Sequence, residues 1–111
     1  MIVLQRIWCG TNYNSMKIAI HFISYELGGV GNIILAGSII CAETKIYNHV
    51  SINTGSYIDH NNTFHNFSST GPGVVTGGNV KIGESSFLGI GCTIKHKIFI
   101  GTNTIIGGQA F

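Results

Sequence analysis

Large apolar side chains recur at every sixth position of this chain from Ile34 onward. Eleven of the thirteen positions in this first column are Ile, Leu or Phe, and the exceptions are Thr70 and Thr76. The column reads Ile34, Ile40, Ile46, Ile52, Ile58, Phe64, Thr70, Thr76, Ile82, Leu88, Ile94, Ile100 and Ile106. A period of six does not fit the 3.6-residue repeat of an amphipathic helix. It predicts three short strands per coil of a parallel β-helix, with the large residue inside.

A second column of mostly small or β-branched residues lies four positions after the first. It reads Ser38, Thr44, Val50, Ser56, Asn62, Ser68, Val74, Val80, Ser86, Cys92, Ile98, Thr104 and Ala110. Glycines directly after the large residue, such as Gly71, Gly77, Gly83 and Gly89, are predicted to supply the unhindered backbone of sharp corners. Residues eighteen apart would then stack in neighbouring coils at about 4.8 Å.

The ends of the chain depart from this pattern. Residues 1–28 are expected to form a cap segment, followed by a β-helix domain over residues 29–111. Met16, Ile20, Ile23 and Leu27 lie at helical spacing and favour a helix over the first coil, although the run 18–22 also alternates as a strand would. The repeat continues to Phe111 with no capping sequence, which predicts either a partner over the last coil or a truncated chain.

Composition narrows the class of protein. The 111 residues are enough for one domain, with 44% hydrophobic and 9% charged residues and 16 glycines. A net charge of +2 without a basic run argues against a nucleic-acid partner. No apolar run is long enough to span a membrane and no signal peptide is evident, so we expect a cytoplasmic protein. The three cysteines, Cys9, Cys41 and Cys92, have no paired spacing and indicate neither a disulfide framework nor a cysteine zinc site.

The stretches INTGSYIDHN (52–61) and GGNVKIGESSFLGIGCTI (77–94) carry a family resemblance. With them, residues 31–111 resemble the left-handed β-helix acyltransferases of the hexapeptide-repeat superfamily. The similarity is greatest to the sialic-acid O-acetyltransferases and the nucleotide-linked 4-amino-sugar N-acetyltransferases. It implies an all-β, single-stranded left-handed parallel β-helix and a homotrimer. It also implies acetyl-CoA as acyl donor, no metal, and a sugar hydroxyl or amine as acceptor, with active sites in the clefts between subunits.

The resemblance also assigns residues. It implies His60 as the catalytic base with Asn61 beside it, and Asn53 and Asp59 as substrate-binding residues. The positions implied for acetyl-CoA are Ser69, Gly78, Gly89 and Gly91. This chain has Asn61 where the family usually has a carboxylate that orients the histidine, and Ser69 where some members have a second histidine. The amino-terminal nucleotide-sugar-binding domain of the family is absent or reduced to residues 1–28.

The chemistry of acyl transfer agrees with these residue types. A base must take the proton of the acceptor, and an oriented histidine suits that role. Asp59 or Asn61 could hold the other ring nitrogen of His60, and backbone N–H groups at Gly77, Gly78 or Gly89 could stabilise the oxyanion. The run Lys95–His96–Lys97 predicts either a basic patch for CoA phosphates or an ordinary solvated turn.

Two other functions fit the same sequence. His60 and His65 have the H-x4-H spacing of γ-class carbonic anhydrases, which share the β-helix fold, although zinc needs a third ligand that has no counterpart here. A non-catalytic trimeric scaffold would also explain Asn61 and the reduced first domain.

Overall fold

The computed structural model describes residues 21–22, 29 and 31–110. Fourteen two-residue strands lie in this part of the chain. They are β1 (His21–Phe22), β2 (Ile33–Ile34), β3 (Ile39–Ile40), β4 (Lys45–Ile46), β5 (Ser51–Ile52), β6 (Tyr57–Ile58), β7 (Thr63–Phe64), β8 (Ser69–Thr70), β9 (Val75–Thr76), β10 (Lys81–Ile82), β11 (Phe87–Leu88), β12 (Thr93–Ile94), β13 (Phe99–Ile100) and β14 (Ile105–Ile106).

The strands form three parallel sheets that wrap one core. Sheet 1 contains β2, β5, β8, β11 and β14; sheet 2 contains β1, β3, β6, β9 and β12; sheet 3 contains β4, β7, β10 and β13. Every pairing joins residues eighteen apart, as in Ile40↔Ile58 and Ile58↔Thr76. The fold is therefore the predicted all-β parallel β-helix with three strands per coil. No helix in the described residues is long and apolar enough to cross a membrane.

Both sequence columns point into the prism. The large residues from Ile34 to Ile100 and the small residues from Ser38 to Cys92 are buried. The side chains at the end of the stack, Ile98, Thr104, Ile106 and Ala110, are more accessible, because no described coil covers them. Burial raises the pKa of the Cys92 thiol, so this thiol stays protonated and packs as a small apolar group.

Thr70 and Thr76, the exceptions in the first column, have a hydrogen-bonding role. The Thr70 hydroxyl accepts from the Asn53 amide at 3.1 Å, and the Thr76 hydroxyl accepts from the Asp59 amide at 3.3 Å. A methyl in place of either hydroxyl oxygen would leave the amide without this partner. Thr70 and Thr76 thus stabilise two turns of the preceding coil, which begin at Asn53 and Asp59.

The structure corrects the predicted role of the glycines. The left-handed backbone lies three residues after each large residue, at positions such as Gly55, Asn61 and Lys97, and not directly after it. Gly77 is needed for another reason: a Cβ there would lie 2.7 Å from the His96 amide nitrogen of the next coil. At Gly107, which no described coil covers, an added Cβ would meet nothing within 4 Å. These glycines allow close approach of coils rather than sharp corners.

The structure describes two residues of the expected cap segment. His21 and Phe22 form β1, which pairs in parallel with β3, so a strand and not the expected helix occupies these positions. The other residues of the expected helix, Met16, Ile20, Ile23 and Leu27, lie outside the described residues, as does Cys9.

Candidate active site

A groove of about 600 Å³ lies along the corner between sheets 2 and 3. Asp59 and His60, the first two residues of a turn at 59–62 that we name the His60 turn, form its lower part. Its other walls come from two further coils and include Tyr57, Val75, Gly78, Thr93, Lys95, His96 and Lys97. The period of eighteen explains this grouping, because 60, 78 and 96 occupy the same corner position of successive coils.

The His60 ring is oriented by its neighbour in the chain. Its Nδ1 lies 2.9 Å from Oδ1 of Asn61. An amide oxygen can only accept, so Nδ1 carries a proton, and in the neutral tautomer of this ring the lone pair is on Nε2. Asn61 has a φ of 58°, a left-handed conformation that asparagine tolerates better than most residues. Of the two residues expected to hold the ring, Asn61 is the one that does so.

Asp59 instead fixes the backbone of the turn. Its Oδ1 accepts from the His60 amide at 2.7 Å, and its carbonyl accepts from the Thr44 hydroxyl at 3.0 Å. Asp59 also lines the groove. The carboxylate therefore places negative charge beside His60 without a bond to its ring.

Gly78 provides the space into which His60 extends. A Cβ at Gly78 would lie 2.6 Å from Cε1 and 2.7 Å from Nε2 of His60, so the ring lies directly over this glycine. Within the described chain the Gly78 N–H donates to no acceptor, whereas the N–H of Gly77 donates to Ile94 at 2.8 Å and that of Gly89 to Ile106 at 2.9 Å. Of the three candidate oxyanion donors, Gly78 alone has its N–H uncommitted in the described residues.

Tyr57 forms a wall of the groove that sequence reasoning missed. The Cys41 Sγ lies 3.7 Å from the Tyr57 hydroxyl oxygen, within hydrogen-bonding distance for sulfur. This hydrogen bond and the Coulombic effect of Cys41, with a further contribution from Asp59, raise the pKa of Tyr57. The side chain thus remains a neutral phenol at physiological pH. The period of six could have identified Tyr57 as an outward residue, because it directly precedes the inward Ile58. It lies three residues before His60.

The remaining residues expected at the site lie elsewhere on the prism. Asn53, Gly89 and Gly91 occupy the corner between sheets 1 and 2, and Ser69 lies on the outward face of sheet 1. The Asn53 Oδ1 accepts from the Thr54 amide at 2.7 Å, and the Gly91 N–H donates to Pro72 at 2.9 Å. One chain therefore brings together His60, Asn61, Asp59 and Gly78, with the other four on a different edge or face.

Within the described part of one chain, the geometry does not bring together the ligands of the zinc alternative. His60 and His65 lie on opposite sides of β7, at two different corners, and His65 stacks on Tyr47 with 5.2 Å between ring centroids. Among the residues that the structure describes, no group of three or more His, Cys, Asp or Glu side chains could hold a metal ion.

Solved structures similar to this chain are acetyltransferases. No protein-family model matches the sequence. The acetyltransferase domain of PglB from Neisseria gonorrhoeae is 25% identical with a TM-score of 0.78, over 82% of this chain and 44% of that one. GDP-perosamine N-acetyltransferase from Caulobacter crescentus, solved with CoA and GDP-perosamine, is 29% identical with a TM-score of 0.78, over 82% of this chain and 43% of that one.

A second PglB structure, in complex with acetyl coenzyme A, has the same fold. It is 23% identical with a TM-score of 0.76, over 87% of this chain and 50% of that one. The chain thus spans about half, or less than half, of the length of these proteins. The predicted resemblance is confirmed: the chain is a hexapeptide-repeat parallel β-helix similar to those of bacterial sugar acetyltransferases.

Proposed function

We propose that this chain catalyses transfer of an acetyl group from acetyl-CoA to an amine or hydroxyl of a sugar, with His60 as the general base. The observation that carries the proposal is the Asn61 Oδ1 to His60 Nδ1 hydrogen bond of 2.9 Å, which orients the ring with Nε2 over Gly78. An imidazole oriented in this way at a groove meets the geometric requirement for a base. The activities named for the similar structures support the same reaction class.

Each group of the His60 turn has a defined part in this reaction. Nε2 of His60 takes the proton of the acceptor as its nitrogen or oxygen attacks the thioester carbon, and the proton leaves with the CoA thiol. The free Gly78 N–H donates to the oxyanion that forms on the carbonyl oxygen. Asp59, beside the ring, stabilises the positive imidazolium and offers an acceptor to the sugar. No step assigns a role to a metal ion.

The donor is proposed to lie along the groove. Lys95 and Lys97 are exposed groove residues and carry the positive charge that CoA phosphates would need. Acetyl coenzyme A and CoA are bound in the similar structures named above, which supports this choice of donor. The proposed class of acceptor is supported by the same comparison, since GDP-perosamine is bound in the Caulobacter crescentus N-acetyltransferase. A sialic acid or a nucleotide-linked amino sugar is the proposed substrate, in a cytoplasmic setting.

We propose a homotrimer because the expected site is divided between edges of the prism. Asn53, Gly89, Gly91 and Ser69 can approach His60 only if a second copy presents its other edge to the groove. Outward apolar side chains on sheets 1 and 2, such as Ile33 on sheet 1 and Ile39 on sheet 2, are 46% and 40% exposed, and cyclic closure would bury the same strip on every copy. Light scattering should give three times the chain mass of 11.9 kDa, and a monomer mass in dilute buffer would contradict the trimer.

The reaction is tested by thiol release from acetyl-CoA with two acceptors, a 4-amino-sugar nucleotide and sialic acid. We expect CoA release that depends on one acceptor, together with acetyl-CoA binding by calorimetry. Absence of both release and binding would contradict the proposal and would favour the non-catalytic scaffold. Release with only one acceptor would also decide between N- and O-acetylation.

A further inference from the structure

Asn62 is an exception in the second inward column. The other buried members of this column are Ser, Thr, Val or Cys, whereas Asn62 is a longer amide with none of its surface exposed. It lies two residues after His60, at the inner end of the His60 turn. A side chain of this size and polarity in such a column requires an explanation.

Most of the buried hydroxyls in this column make the same hydrogen bond. Four of the five buried hydroxyls donate to a carbonyl fifteen residues on, in the next coil: Ser38 to Asn53, Thr44 to Asp59, Ser56 to Gly71 and Ser86 to Gly101. The fifth, Ser68, donates instead to the His65 carbonyl three residues back, at 2.7 Å. Asn62 makes the equivalent bond, from Nδ2 to the Gly77 carbonyl at 2.9 Å. A serine at this position could therefore link the two coils equally well.

The amide makes two further contacts that a serine could not combine with this link. Nδ2 of Asn62 also lies 3.0 Å from the Asp59 carbonyl and 3.1 Å from the His60 carbonyl. Among the residues that the structure describes, its Oδ1 is buried without a partner, which is destabilising. The additional contacts thus lie on the two residues that determine where the His60 ring stands, and the unpartnered oxygen shows that the amide is not optimal for stability alone.

We propose that Asn62 is a positioning residue for His60, a role that rests on the proposed function. From inside the prism, its amide holds the carbonyls of Asp59 and His60 against the next coil. This keeps the turn in the conformation in which Asn61 reaches Nδ1 and the ring lies over Gly78. Asn62 does not touch the groove and acts only through His60.

The test compares Asn62→Ser and Asn62→Val with the parent. Both replacement types already occupy this column, for example at Ser56 and Val74, so the coils can accommodate them. Asn62→Ser has a single donor, which can make either the link to the next coil, as in Ser56, or one contact with the His60 turn, as Ser68 makes with His65. It therefore cannot combine the link with both turn contacts, whereas Asn62→Val loses all of them. The matched control is Ser86→Ala, which removes an equivalent link in a coil away from His60.

Two measurements are made on each variant. Nitrogen-15 NMR of the His60 ring should report the Nδ1–H tautomer in the parent and in Ser86→Ala, and a mixture of tautomers in both Asn62 variants. In the thiol-release assay, kcat should fall about tenfold in both Asn62 variants with KM within about twofold, as expected for a misplaced base. Ser86→Ala should keep the parent kcat.

Parent-like NMR and kcat for Asn62→Ser would overturn the proposal and leave Asn62 as a link between coils. The NMR measurement needs no substrate, so it separates the two hypotheses. A parent that releases no CoA contradicts the proposed function, whereas an unchanged His60 tautomer in Asn62→Ser contradicts the positioning role.

Discussion

Two turns on either side of β6 have the same backbone and different chemistry. Residues 53–56, which we name the Asn53 turn, and the His60 turn lie six residues apart. In each, the first side chain accepts from the next amide at 2.7 Å, and a threonine of the next coil accepts from the first residue's own amide. The third residue of each has a left-handed φ, 69° at Gly55 and 58° at Asn61.

The turns differ at the positions that surround the imidazole. The Asn53 turn continues as Thr54, Gly55 and Ser56, and the His60 turn as His60, Asn61 and Asn62. Glycine is the least strained residue at a left-handed position, and serine suffices to link two coils. The Asn53 turn therefore shows what the fold requires, and the side-chain contacts of Asn61 and Asn62 are additions that act on His60.

The largest expected effect comes from a core substitution that disrupts both turns. Ile58 is fully buried between them, and Ile58→Asp would place a carboxylate in the core without a partner. We expect a loss of about 4 kcal/mol or more, a large part of the stability of a small domain. Thermal melting should show no cooperative transition for Ile58→Asp, while the control Phe99→Asp, at a 73% exposed position on sheet 3, melts like the parent. Retention of the parent melting temperature by Ile58→Asp would show that the inward column is wrong.

A smaller effect is expected where the His60 turn meets the next coil. Gly78→Ala places a Cβ within 2.7 Å of Nε2 of His60, so the ring must move. Because the ring can rotate toward solvent, the melting temperature should stay near that of the parent, while kcat falls about tenfold to a hundredfold. Gly107→Ala, where the Cβ meets nothing within 4 Å, is the control. An unchanged kcat for Gly78→Ala would show that catalysis does not depend on the position of the His60 ring over Gly78.

Asn61→Gly converts the third residue of the His60 turn into that of the Asn53 turn. The backbone accepts glycine there without strain, so stability should remain close to that of the parent. The loss of one hydrogen bond of about 1 kcal/mol to Nδ1 should lower kcat about fivefold. Asn61→Asp should raise kcat, because a carboxylate stabilises the imidazolium that forms during proton transfer. Equal kcat values for all three proteins would show that the Asn61 contact has no role.

The smallest effect is expected at Tyr57. Its hydroxyl is a neutral phenol whose pKa is raised by Cys41, so Tyr57→Phe removes one polar contact and no charge. We expect a change in KM of about twofold and no change in kcat, since one exposed hydrogen bond contributes little. Cys41→Ser, which keeps a donor to the hydroxyl, is the comparison. A fall in kcat of tenfold or more for Tyr57→Phe would assign the phenol a part in the chemical step.

The period of six made the fold predictable and made the site predictable only in part. Strands end on the residues of the first column, as Ile58 and Phe64 do, because one inward side chain per hexapeptide determines the register. The same period places Asn53 and His60 on different corners, since they are seven residues apart. This separation can be read from the sequence, and it is compatible with a site that two subunits share.

Other features depend on contacts between coils that the sequence pattern does not contain. The left-handed position accepts residues as different as Glu43, Asn61 and Lys97, so local preference does not identify it. The placement of the His60 ring over Gly78 depends on a side-chain rotamer. The role of Asn62 could have been suspected, because it is the only carboxamide in a column of small residues.

The central claim is that His60 is the base, and the most direct test is thiol release by three variants beside the parent. They are His60→Ala, Thr54→Ala at the equivalent position of the Asn53 turn, and His65→Ala at the next corner. We expect His60→Ala to lose about 10² to 10⁴ in rate, with the oligomeric state and acetyl-CoA affinity unchanged, while the other two stay near the parent rate. Equal rates of CoA release by the parent and His60→Ala would contradict the account.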